Sequence, residues 1–163
     1  MPRTFRQLSI NKKLGVLVAA TASAAALAPP AAADIVYHSE HLKLTPVGGA
    51  PLRSGFVENI KAEGPQVYAH EIFVLNGALR RTTYTVKRNI FPFDRGCTGT
   101  NGVFTSDVGN LRTNAAGNAR DDTKVTPEEV AGFEGVHGVT WTVVRNTTGA
   151  LVYRTACTQV TLD

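Results

Sequence analysis

The chain has 163 residues with 17 basic and 13 acidic side chains, a formal net charge of +4. The excess lies entirely in the first 33 residues, where Arg3, Arg6, Lys12 and Lys13 are the charged groups; residues 34–163 carry 13 of each sign. A balanced chain of that length is the size of one domain and gives no electrostatic reason for a nucleic-acid partner.

The first 33 residues read as a secretory signal peptide. A basic start is followed by the small and apolar run Leu14–Ala28, and Ala31 and Ala33 occupy the small-residue positions before a cleaved bond, leaving Asp34 as the new first residue. The apolar run is short for a spanning helix. No lipid-attachment cysteine follows the leader and TQVTLD is not a hydrophobic tail. The expectation is a released, extracellular, monomeric protein of residues 34–163, without a membrane partner. Its two cysteines, Cys97 and Cys157, then meet an oxidising compartment and are expected to pair. Closing a loop of about 60 residues is worth roughly 4 kcal/mol in the chain-entropy model.

Past the leader the signals are those of strands. Ile35–Thr45 alternates at its end, with Leu42 and Leu44 on one face. PVGGAP, 46–51, is a loop; Phe56–Ile60 is a short strand; Gly64-Pro65 is a breaker. Val67–Leu75 is the strongest apolar run. Thr82–Phe91 follows, with Tyr84, Val86 and Ile90 in phase. Asn101-Gly102 predicts a two-residue hairpin turn. Val103–Thr105 and Gly109–Thr113 are short strand candidates on either side of Asp107. In LRTNAAGNARDD, Leu111–Asp122, Asn114 and Gly117 have the spacing of a type I turn. Asn146 and Gly149 repeat that spacing where no acids follow. Thr126-Pro127-Glu128-Glu129 predicts a short helical turn near residues 127–131, capped by Thr126 with Glu129 three residues on. Val139–Arg145 places Val139, Trp141 and Val143 on one face, and Ala150–Leu162 closes the chain.

Seven or eight short strands with turns between them predict an all-β fold, an antiparallel immunoglobulin-like β-sandwich filling residues 34–163. The stretch Gly77-Ala78-Leu79-Arg80-Arg81-Thr82-Thr83-Tyr84 resembles the G-L-x-P-x-T-x-Y segment of fibronectin type III and related immunoglobulin-like domains. Gly77, Thr82 and Tyr84 match; Ala78 and Arg80 replace the leucine and the proline. The resemblance implies a tyrosine hydroxyl bonded back to the chain at a crossover between sheets, and it implies no function. The pair Asn76-Gly77 also reads as a tight hairpin turn, and both readings stand at this level.

Catalytic patterns are weak. His38 and His41 are three apart on a strand and so point to opposite faces, and no His-x-His pair exists. Ser39, Ser54 and Ser106 lie outside any G-x-S-x-G. A disulfide removes both thiolates as nucleophiles. Glu128-Glu129 and Asp121-Asp122 are adjacent acids on polar stretches. Trp141, the only tryptophan, sits on an apolar face and reads as core rather than as a sugar platform.

Calcium is the one ion worth placing. Asp121, Asp122, Glu128 and Glu129 are oxygen donors in one segment, with Asn114 and Asn118 nearby, but Arg112 and Ala116 fall where an EF-hand loop needs ligands. No cofactor is expected. The functional expectation is a secreted, non-enzymatic binding or structural module whose partner is an extracellular protein or glycan. The alternative is a secreted protease inhibitor presenting Asp94–Gly102, DRGCTGTNG, braced by Cys97. An enzyme of unrecognised type would need His38, His70 or His137 to converge with acids in a cleft.

Overall fold

A computed structural model describes residues 38–61, 69–132 and 135–162. The expected leader, its junction at Asp34 and the Gly64-Pro65 breaker lie outside the described residues. Among the described residues ten strands form: β1 (His38–Lys43), β2 (Thr45–Pro46), β3 (Ser54–Lys61), β4 (Ala69–Asn76), β5 (Thr83–Phe91), β6 (Phe104–Arg112), β7 (Ala119–Val125), β8 (Gly135–Arg145), β9 (Ala150–Arg154) and β10 (Thr158–Leu162). One helical turn, α1 (Pro127–Val130), falls where the capping pattern places it, and Glu129 accepts the Thr126 N–H at 2.7 Å.

The strands make two antiparallel sheets, consistent with a β-sandwich. One has the order β1-β3-β4-β7, the other β2-β9-β8-β5-β6, with β10 pairing the remaining length of β8. Period-2 alternation sends one face of each strand into the core. Phe73 and Leu75 of β4 meet Tyr84 and Val86 of β5 and Val143 of β8 there, all fully buried. Trp141 is 1% exposed and is core. Each such side chain gives roughly 1.5–3 kcal/mol on burial.

The chain changes sheets after β1, β2, β4, β6 and β7. Asn76-Gly77 therefore lies at a crossover and not in a hairpin. Tyr84 follows that crossover, but its buried hydroxyl has no hydrogen-bond partner among the described residues. The back-bond is made by Tyr153 of β9, whose hydroxyl donates to the Pro51 carbonyl at 2.7 Å. Burial, with Tyr84 beside it, pushes the Tyr153 phenol well above its ordinary range.

Several boundaries differ from expectation for local reasons. The run Ile35–Thr45 divides because Leu44, 1% exposed, turns the chain from one sheet to the other. The run Ala150–Leu162 divides at Thr155, whose N–H donates to the Trp141 carbonyl at 2.9 Å while its Oγ1 accepts the Trp141 N–H at 3.0 Å. The two candidates flanking Asp107 merge into β6, because a bulge absorbs Val108: Val86 pairs with Gly109 and Lys87 with Asp107. Asn101-Gly102 does not make a two-residue hairpin; residues 92–103 join β5 to β6, and Gly102 N–H closes a turn onto the Gly99 carbonyl at 3.1 Å. Strand β7 was not foreseen.

The Asn114–Gly117 turn forms as expected. Gly117 N–H donates to the Asn114 carbonyl at 3.1 Å, and Asn114 Oδ1 accepts from Ala116 at 2.8 Å and Asn118 at 3.0 Å. At the repeated spacing the bonds run instead to Arg145, whose carbonyl accepts from Thr148 at 3.2 Å and Gly149 at 2.8 Å. Gly117 adopts φ +79°, and a Cβ there would stand 2.2 Å from the Ala78 carbonyl oxygen. Gly117→Ala is therefore expected to lower stability by at least about 1–2 kcal/mol, measurable by urea unfolding; an unchanged midpoint would contradict this packing.

Candidate binding loop and polar seam

The loop between β5 and β6 is built around one carboxylate. Asp94 Oδ1 accepts the Gly96 N–H at 3.1 Å; Oδ2 accepts the Gly99 N–H at 2.7 Å and the Thr98 hydroxyl at 2.8 Å. The Thr98 hydroxyl, with the backbone N–H groups, holds the Asp94 carboxyl below the usual carboxylate range. Two turns flank it, with Asp94 N–H donating to the Phe91 carbonyl at 3.2 Å and Cys97 N–H to the Asp94 carbonyl at 3.3 Å. Asn101 Nδ2 donates to the Pro92 carbonyl at 3.0 Å.

Two further ties seat the loop on the second sheet. Cys97 and Cys157 form the expected disulfide, which joins the loop to the segment between β9 and β10. Gly138 of β8 lies directly beneath: a Cβ there would come within 2.3 Å of the Asp94 carbonyl oxygen and 2.7 Å of Cys97 Sγ. His137, fully buried, accepts the Phe93 N–H on Nδ1 at 3.3 Å.

The inner side of this loop is polar and satisfied, and the outer side is apolar. Phe93 is 67% exposed, Phe104 55% and Val103 46%. Phe93 and Cys97 hold φ near +54° and +53°. A bulky residue in the left-handed region is strained and persists only where its surroundings impose it. Here they do, since the Phe93 ring packs at a tilt against His137 with ring centroids 5.0 Å apart. Exposed aromatic side chains on a braced backbone suit a contact surface, because less backbone freedom is lost on binding.

The folded-state pKa of Asp94 is depressed, so its contribution to stability is present at neutral pH and is lost as pH falls through the folded value. The loop amides of Gly96 and Gly99 are expected to lose hydrogen-exchange protection selectively only as pH falls below the ordinary carboxylate range; Asp94→Asn should abolish that selectivity. Loss of protection throughout the sheets at the same pH would refute a local cause.

The second polar feature lies between the sheets. Glu71 of β4 is 2% exposed, and its Oε1 accepts Nη1 of Arg88 from β5 at 2.9 Å. Beside Glu71 on the first sheet stands Asn59, its pairing partner; beside Arg88 on the second stands Trp141.

The candidate calcium donors Asp121, Asp122, Glu128 and Glu129 take separate partners. Asp121 and Asp122 are consecutive on β7 and so point to opposite faces. Asp121 Oδ2 accepts the Asn110 N–H at 2.6 Å, and Asp122 Oδ2 contacts His70 Nε2 at 2.8 Å. Glu129 caps α1. The Glu128 carboxyl is held below its usual range by its own backbone N–H and by the Thr126 hydroxyl. Among the described residues no group of three or more His, Cys, Asp or Glu side chains is gathered to hold a metal. His41 packs on Phe56, ring centroids 4.3 Å apart, and the His38 side chain lies outside the described set.

The sequence pattern marks the core of the loop, Asp94–Gly102, but not the aromatic residues that flank it. The signal was present as FPFD before Cys97 and VF after Gly102. No known family model matches the chain, nor does any curated protein or solved structure.

Proposed function

We propose that the protein is a secreted, non-enzymatic binding module that engages an extracellular protein or glycan through the Phe91–Phe104 loop, acting as a monomer without a cofactor. The observation that carries this reading is Phe93, 67% exposed and fixed at a strained φ by a fully braced loop. The disulfide is compatible with an extracellular setting.

We also propose the immunoglobulin-like type of sandwich. In that plan the second and fifth strands pair in one sheet, and the third and sixth in the other. Taking β3 as the first strand, β4 with β7 and β5 with β8 fill those places. The strand order supports this assignment better than the Tyr84 resemblance does.

The test is a panel of extracellular proteins and immobilised glycans, probed with wild type, Phe93→Ser and Phe104→Ser. The expected result is a ligand whose affinity falls at least about tenfold in either variant, equivalent to about 1.4 kcal/mol. A ligand bound equally by all three, or turned over by the protein, would sink the reading. The braced loop also favours a second reading, inhibition of an extracellular protease. That version requires a protease in the panel to be inhibited while the loop stays uncleaved.

A further inference from the structure

Four side chains from two sheets occupy one layer of the core. Asn59 and Glu71 are direct partners across β3 and β4, and Arg88 and Trp141 across β5 and β8. Directly opposed residues hold their Cβ atoms about 4.5–5.5 Å apart. The Glu71–Arg88 bond of 2.9 Å joins the two pairs across the gap between the sheets. Asn59, Glu71 and Trp141 are 5%, 2% and 1% exposed.

Each of the four keeps one buried polar atom without a partner among the described residues: Asn59 Oδ1, Glu71 Oε2, Arg88 Nε and Trp141 Nε1. Their chemistry is divided by sheet. The first sheet presents two acceptors, Asn59 Oδ1 and Glu71 Oε2. The second presents two donors, Arg88 Nε and the indole N–H. Leaving a buried polar atom unsatisfied is costly, so four together in a folded domain call for a partner.

We propose that this layer is a binding site for a trapped water molecule shared by the two sheets. Water donates two hydrogen bonds and accepts two, which matches two acceptors on one sheet and two donors on the other. Buried waters typically make two to four such bonds to otherwise unsatisfied groups. The row also has a way in. Glu40 of β1 is the pairing partner of Asn59, is half-buried, and accepts the Thr158 hydroxyl from β10 at 3.1 Å. Polar groups thus continue from the edge of the sandwich to the site, so that the water can exchange. Hydration of this kind completes the coordination of an ion pair that burial would otherwise disfavour.

Trp141, the only tryptophan, supplies an unambiguous probe. In the ¹⁵N-labelled protein its single indole N–H should show a water cross-peak whose laboratory-frame and rotating-frame components have opposite sign, the mark of a long-lived contact. Oxygen-17 relaxation dispersion, to which protein hydroxyl groups do not contribute, should report a long-lived water in wild type. Its amplitude should fall by one water in Asn59→Leu. Absence of the indole cross-peak, a cross-peak without oxygen-17 dispersion, or an amplitude unchanged in folded Asn59→Leu would each overturn the site. Should Asn59→Leu not fold, the two wild-type measurements still decide the matter.

Discussion

Arg88→Met is expected to destabilise the protein by about 3–5 kcal/mol, a large part of the stability of a domain this size. The loss comes mainly from what is left behind. Glu71, 2% exposed, would keep its carboxyl buried in a core that no longer answers it. Its other oxygen, Oε2, already has no protein partner among the described residues. Replacing both residues with apolar side chains of similar volume removes the buried charge altogether. Glu71→Leu combined with Arg88→Met should therefore recover most of the loss. Urea unfolding of the wild type, the two single variants and the double variant measures the coupling directly. Additive losses would show that the pair is not energetically linked across the sheets.

The second large effect concerns the disulfide. Cys97→Ser with Cys157→Ser opens a closure of sequence separation 60 and should cost about 4 kcal/mol in the chain-entropy model. The loop should respond differently from the sheets. Cys97 sits at φ +53°, and the disulfide is one of the ties that hold it there. The Asp94 bonds remain in the variant and preserve part of the loop, but the Phe93 position should become mobile. Hydrogen exchange should then show protection lost in residues 92–103 at denaturant concentrations where β5 and β8 keep theirs. A variant as stable as wild type, or one whose loop and sheets loosen together, would contradict this division.

Glu71 and Arg88 also show where reading the chain stops short. Each stands in phase with apolar residues, Glu71 with Phe73 and Leu75, Arg88 with Tyr84 and Val86. A charged residue on a buried face is a visible anomaly in the sequence. What it bonds to is not, because the partner lies on a strand of the opposite sheet. Strand β7 is the reverse case. Its sequence, ARDDTKV, offers little alternation, because it is the edge of its sheet and its side chains are mostly exposed or half-buried. It forms through backbone pairing with β4, running from Ala69–Val125 to Leu75–Ala119. The turn at Asn114, by contrast, was legible, because one asparagine and one glycine at fixed spacing satisfy it locally.

The sequence by itself determined the all-β class, the apolar faces of β4, β5 and β8, the capped turn at α1 and the pairing of its two cysteines. These depend on period, on local hydrogen bonding and on there being only two thiols. Tertiary structure alone decided that Asn76-Gly77 crosses between sheets, that Tyr153 and not Tyr84 bonds back to the chain, and that Phe93 faces outward. It also decided that Asp121 and Asp122 take separate partners, Asn110 and His70. The physical reason is common to all four. Strand pairing brings together residues far apart in the chain, and neither which strand pairs with which nor what then faces solvent is written in any local pattern.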